Sequence, residues 1–135
     1  MLHLFVHEDA EGDLDALYES DPKAAARIDV FIDELSGDQD LLDRLTQHDF
    51  GDDKWGKHPF HVCQFSSQAR LGRNFWRLKL WELERCGHRY RLIYAFVPLK
   101  KHHHILGIFP RSTYDYEPDD PRTKRIVNAY LELLG

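Results

Sequence analysis

Between Phe75 and Phe96 the chain reads FWRLKLWELERCGHRYRLIYAF, two apolar runs of strand length separated by ERCGH. Successive side chains of a strand point to opposite faces of its sheet. In 75–83 the odd positions are Phe75, Arg77, Lys79, Trp81 and Leu83, while Trp76, Leu78 and Leu80 take even ones. In 89–97 Arg89 and Arg91 share one face, and Tyr90, Leu92, Tyr94 and Phe96 share the other. Strands of this kind bury one face under helices and hold cations on the other. ERCGH makes a tight connection, and PLKKH (98–102) leads to a third apolar run, 103–109. A meander of antiparallel strands is the economical arrangement of the three.

The flanking segments supply the helices. LHLFVH (2–7) alternates Leu2, Leu4 and Val6 against His3, Phe5 and His7, as a short strand does. EDAEGDLDALYES follows as a helix weakened by Gly12. Asp21-Pro22 is a helix start, with a polar cap and proline in the first turn. Ala25, Ile28, Ile32 and Leu35 then recur at helical spacing, up to a stop at Gly37. DQDLLDRLTQHDF (38–50) reads as a short amphipathic helix. Residues 51–74 read as an insertion or loop in which FHVCQF (60–65) has strand character. Asp120-Pro121 starts a final helix with Ile126, Val127, Tyr130, Leu131 and Leu134 as its apolar stripe. The expected fold is α+β: one domain over 1–135, with a small antiparallel sheet and helices packed on one face. Residues 1–50 supply the N-terminal strand and acidic helices, 51–74 the insertion, and 75–135 the meander and last helix.

Charge is divided along the chain. Residues 1–65 hold 5 Lys/Arg against 16 Asp/Glu, net -11, and residues 66–135 hold 13 against 7, net +6. An asymmetry of this kind marks a candidate anion-binding face. If the strands pair as neighbours, Arg77, Lys79 and Arg91 gather on one surface, with Arg111 just past the third strand. Planar guanidinium groups suit phosphate. Tyr114, Tyr116, Trp81 and Phe75 are placed to stack on bases. No apolar run approaches the roughly 18 residues of a membrane span, and the N-terminus MLHLFVHEDAEGD carries no basic leader. Cytoplasm is therefore the expected location and no membrane partner is expected. Cys63 and Cys86 are too few for a disulfide framework.

Other constellations point elsewhere. The nine histidines include His58-x-x-His61-x-Cys63, Cys86-x-His88 and His102-His103-His104, whose residue types suit zinc. Their spacings match no standard structural site, so no metal and no cofactor is expected. His88 and His103 are candidate proton shuttles if they reach the basic face. Neither cysteine has the motif context of a nucleophile. Asp115, Asp119 and Asp120 precede Pro121, where helix capping accounts for a carboxylate cluster.

Residues 75–135 resemble the RelE/ParE toxin superfamily of bacterial toxin–antitoxin systems, in the pattern WRLKLWEL…HRYRLIYAF…HILGIFPRSTYDY…KRIVNAYLEL. The resemblance covers a little under half of the chain. It implies a RelE-like fold and a metal-independent endoribonuclease that cuts mRNA on the ribosome and is neutralised by an antitoxin protein. The implied reaction is attack of a ribose 2′-OH on the adjacent phosphate. Carried over by position, Arg77 and Lys79 match a basic strand pair, and Lys79 positions or helps deprotonate the 2′-OH. Arg91 stabilises the phosphorane, and Arg111 contacts the scissile phosphate or assists the leaving group. Tyr116, or else Tyr114, stacks on the base; Arg89 and Trp81 are further substrate-binding candidates. ParE-like relatives act on DNA gyrase, so a non-enzymatic binding module on the same fold is the alternative. The acidic balance of this chain and the segment 37–74 depart from the family pattern.

Overall fold

In the computed structural model, which describes residues 1–135, five strands form one open sheet in the order β1-β5-β4-β3-β2. They are β1 (His3–Val6), β2 (Phe60–Gln64), β3 (Phe75–Leu80), β4 (Tyr90–Val97) and β5 (His102–Pro110). The helices are α1 (Glu8–Ser20), α2 (Pro22–Ser36), α3 (Gln39–Arg44), α4 (Ser66–Ala69), α5 (Trp81–Arg85) and α6 (Pro121–Leu134). The protein is thus α+β. No helix is long and apolar enough to cross a membrane.

Three features differ from the sequence expectation. First, the sheet is mixed: β2 to β5 pair antiparallel, but β1 runs parallel to β5, with His3 opposite His102 and Val6 opposite Ile105. A long connection between two strands frees them from the antiparallel constraint of a hairpin. Second, the strand character of FHVCQF is realised as β2, which pairs with β3 and adds a fifth strand to the expected four. Third, helices cover both faces. α1, α2 and α3 bury Leu17, Ile28, Phe31, Leu35 and Leu42 against Phe60, Val62, Leu78, Leu92 and Ile105. α6 lies on the opposite face, with Ile126, Ala129 and Tyr130 on Phe75, Ile93, Ala95, Leu106 and Phe109.

The helix starts are where the polar caps stand. An Asp21 carboxylate oxygen accepts from the Ala24 N–H at the head of α2, and Asp120 accepts from Arg122 at the head of α6. The stripe of α6 is narrower than its spacing suggests: Leu131 and Leu134 are about half exposed. Ile93 pairs with Gly107 but Tyr94 with Ile105, so Leu106 is an extra residue in β5. That bulge turns both Leu106 and Phe109 toward α6. Gly107 is needed here, since a Cβ would lie 2.4 Å from the Phe109 ring. Past Val6 the outer edge of β5 has no strand beside it, and Asp13 of α1 takes the place of one. Its carboxylate accepts from the Ile108 N–H at 3.0 Å and from both terminal nitrogens of Arg125 on α6, at 3.0 and 2.6 Å. One carboxylate therefore joins the two helix layers around the sheet edge.

The histidine run divides by strand alternation. His102 and His104 lie on the same face as His3 and Phe5, with His3 and His102 edge to face. His103 is 1% exposed, packed on Phe96 and Tyr94 in the opposite layer. It cannot serve the basic face as a proton shuttle. Burial lowers its pKa from 6.5 to about 4. The unfolded chain takes up a proton on this side chain below pH 6.5, and the folded chain does so only below about pH 4. Stability is lost as pH falls through that window, by up to about 3 kcal/mol at this group. His103→Leu is expected to flatten the fall in urea-denaturation free energy across the window; an unchanged slope would place the titration elsewhere.

Candidate functional site

The alternation of β3 sets Arg77 and Lys79 on the face opposite Leu78 and Leu80, as the sequence implies. Pairing brings Cys63 of β2 opposite Arg77, and His61 opposite Lys79. On the other side Ile93 of β4 lies opposite Arg77, which brings Arg91 alongside Lys79. α6 covers Phe75, Ile93 and Ala95 on this face but leaves the next positions of the same strands without a helix over them. His61, Cys63, Arg77, Leu78, Lys79 and Arg91 line a pocket there of about 70 Å³. The pocket opens to solvent and has room for a phosphate-sized group.

Two aromatic side chains flank the strip. The strand expected over 75–83 ends at Leu80, and Trp81–Arg85 turns into α5. This turn lays Glu84 against Arg91, and the two form an ion pair with both side chains at most 8% exposed. Arg89, largely exposed, approaches the other Glu84 oxygen at 3.8 Å. Trp81 is 7% exposed, stacked on His61 and hydrogen-bonded through its indole N–H to the Gly51 carbonyl. It stands behind the lining residue His61 and cannot stack on a base as expected. Beyond Arg77 stands Tyr116, held at φ 66°, whose ring lies 4.5 Å from the Arg77 guanidinium and 5.4 Å from that of Arg111.

Other assignments change in the same way. Tyr114 is 1% exposed and its hydroxyl meets that of Thr123, so it belongs to the core under α6. Phe75 is fully buried against Tyr130. Neither can stack on a base. Tyr116 packs on Phe65 and Tyr114, and its hydroxyl is buried without a partner. Its ring orients Arg77 and Arg111 rather than standing open. Arg111 does not line the pocket; it donates to the Tyr114 carbonyl and reaches the site only by way of Tyr116. His88 is bound to Asp21 and does not line the pocket. Arg77, Lys79 and Arg91 are the cations that come together.

His61, Cys63 and Glu84 join them, and sequence reasoning did not place them there. The i, i+2 spacing of His61 and Cys63 in a strand was the available signal for two of them. Nothing local signals Glu84, whose position depends on the turn after Leu80. Lys79 is held below the ordinary lysine pKa by burial and then by Arg91, with Glu84 and Cys63 opposing. A depressed lysine gives up a proton more readily. Burial pushes the Cys63 thiol up, although Arg77 pulls it back. His61 Nε2 lies 3.5 Å from the Cys63 sulfur and 3.2 Å from Asp49 Oδ1, so thiol and carboxylate meet one ring nitrogen. A nucleophile relay uses the two nitrogens separately. Cys63 is therefore not primed as a nucleophile. The strip is equipped instead to bind an anion and to move protons through His61 and Lys79.

The buried pair makes a sharp expectation. Glu84→Ala leaves Arg91 unpaired and is expected to cost about 3–5 kcal/mol, whereas replacing both residues by Met recovers most of it. Inorganic phosphate is expected to raise the melting temperature of Glu84→Ala more than that of the wild type. Equal shifts in the two proteins would show that Arg91 does not face the anion.

Comparison with known protein families, with curated proteins and with solved structures finds no match for this chain.

Proposed function

We propose that the protein is a RelE-like toxin, an endoribonuclease that cuts mRNA by attack of a ribose 2′-OH on the neighbouring phosphate and is neutralised by an antitoxin. The observation that carries this reading is the set of Arg77, Lys79 and Arg91 around one phosphate-sized pocket with His61 beside them. In-line transfer at phosphorus passes through a species with more charge on its equatorial oxygens than the substrate has. Fixed cations stabilise that added charge more than the ground state. Arg77 and Arg91 hold the non-bridging oxygens. Lys79, with its depressed pKa, or His61 takes the 2′-OH proton, and the other returns one to the leaving oxygen. Arg111, steadied by Tyr116, contacts the adjoining phosphate. The RelE-like fold is part of the proposal, supported by a first strand followed by helices, then antiparallel strands and a C-terminal helix, with β2, α3, α4 and α5 as additions. Cytoplasm, the ribosome as the place of action and a protein antitoxin laid across the open strip complete it.

One observation favours a second reading. Arg91 is tied to Glu84 and Arg111 to a backbone carbonyl, as in a binding module whose cations serve structure. A ParE-like target is then the alternative. Induced expression without antitoxin separates the two. Growth arrest with mRNA cuts is expected for the wild type. Arg77→Ala and Arg91→Ala are each expected to reduce the cleavage rate about 100-fold or more, and His61→Gln by a similar factor. Arrest with intact mRNA would favour the binding module, and no arrest would remove the toxin reading.

A further inference from the structure

Residues 48–50 run along the outer edge of β2 as a short strap. The Asp49 N–H donates to the Val62 carbonyl at 2.8 Å, and the Val62 N–H donates to the Phe50 carbonyl at 3.0 Å. Asp49 is held at φ 64°, a left-handed conformation that aspartate tolerates better than most residues. The strap carries the Asp49 carboxylate up to His61 and Cys63, which β2 projects from one face. Three donor atoms of three different kinds then converge. His61 Nε2 to Asp49 Oδ1 is 3.2 Å, His61 Nε2 to Cys63 Sγ is 3.5 Å, and Cys63 Sγ to Asp49 Oδ1 is 3.9 Å.

Two of these separations are close to those of ligands around a small ion, and the third, sulfur to carboxylate at 3.9 Å, is slightly longer. With bonds of about 2.0–2.1 Å to nitrogen or oxygen and about 2.3 Å to sulfur, a tetrahedral centre sets ligands roughly 3.3–3.6 Å apart. We propose that Asp49, His61 and Cys63 form a site for a zinc-class divalent transition ion beside the phosphate pocket. Imidazole with thiolate favours such an ion over magnesium or calcium. Three protein ligands leave a fourth position to water or an anion. The thiolate and the carboxylate neutralise a dication, so Arg77, Lys79 and Arg91 nearby do not oppose it.

His48 also lies at this cluster, with a donor atom within 4.8 Å of those of Asp49 and Cys63, and its hydrogen bonds cast it as an outer partner. Its Nδ1 accepts from the Gln64 N–H at 3.0 Å, so its Nε2 carries the proton and faces Asp49 Oδ2 at 3.4 Å. That contact turns Asp49 Oδ1 toward the ion, as outer partners of metal-bound carboxylates do. His61 Nδ1 is buried without a partner. The missing partner weakens the site by the roughly 10–100-fold that an outer hydrogen bond contributes. The inference stands apart from the ribonuclease reading; joined to it, an ion on His61 Nε2 removes that nitrogen from proton transfer.

The test is cobalt(II) titration of a Cys86→Ser chain, in which Cys63 is the sole thiol. One equivalent of Co²⁺ is expected, with thiolate-to-cobalt charge-transfer absorption, and Zn²⁺ is expected to displace it. Asp49→Asn and His61→Gln should each weaken binding at least 10-fold, and His48→Gln by roughly 10–100-fold. His58→Gln, on a neighbouring exposed histidine, should change nothing. Asp49 is exposed, so its variant reads the site even if Cys63→Ser misfolds. Absence of the charge-transfer band overturns the proposal. So does a band that survives Asp49→Asn and His61→Gln undiminished, or binding that survives Cys63→Ser in a folded chain. The cobalt readout involves no RNA, so its failure is distinct from a failure of the growth-arrest experiment.

Discussion

The sheet has more surface than its helices cover. α1, α2 and α3 blanket one face, while α6, a single helix of 14 residues, spans only part of the other. Strand positions under a helix must be apolar, and on this second face they are Phe75, Ile93, Ala95 and Phe109. Positions one step further along the same strands meet no helix, and there the chain places Arg77, Lys79, Arg91, His61 and Cys63. The strip is therefore a consequence of layer geometry. Strand alternation makes it polar, and the end of α6 decides where it begins.

Within the strip, Arg91 is the residue with the most severe requirement. A guanidinium 6% exposed in the middle of a sheet face needs a partner, since a buried charge without one costs several kcal/mol. Glu84 is that partner, and α5 brings it there. The same turn stands Trp81 against His61 and lets Lys79 lie over the indole ring at 4.8 Å. One short helix thus sets the charge balance of the pocket and backs its lining residue His61. Glu84 leaves Arg77 and Lys79 as the cations of the pocket without a close carboxylate partner. An incoming anion would compete with Glu84 for Arg91 and meet those two directly. Beyond Arg77 a different interaction operates: Tyr116 holds two guanidinium groups by its ring face and not by hydrogen bonds.

The acidic half and the basic half of the chain meet in particular contacts and not as two bulk charges. Asp13 takes Arg125 and closes the sheet edge, Asp21 takes His88 and Tyr90, and Asp49 meets His61. Asp21 also caps α2, and its pKa is lowered by its bonds to His88, Tyr90 and the Ala24 N–H, in spite of opposing burial. Much of the negative charge of residues 1–65 stays on the outer surfaces of α1, α2 and α3, on the far side of the sheet from the pocket. A net charge of -5 for the whole chain is therefore a poor guide to the field above Arg77 and Lys79.

Several features were legible in the amino-acid order itself. Period-two alternation was enough to assign Arg77 and Lys79 to one face and Leu78 and Leu80 to the other, because a strand has only two sides. Asp-Pro at residues 21–22 and 120–121 located two helix starts, because a cap and a fixed φ act within one turn. The α+β class followed from those elements. Other features depended on residues far apart in sequence. The parallel pairing of β1 with β5, the second helix layer and the burial of Tyr114 come from how elements pack, which no local pattern encodes. Trp81 leaves the strand where the ladder ends, at Leu80 opposite Phe60, with its N–H taken by the Pro59 carbonyl. Glu84 met Arg91 through that turn, and Asp49 met His61 and Cys63 across 12 and 14 residues. Alternation determines which side of a strand a side chain takes. Only the tertiary structure decides what waits on that side, because contact there is set by pairing register and by where each helix ends.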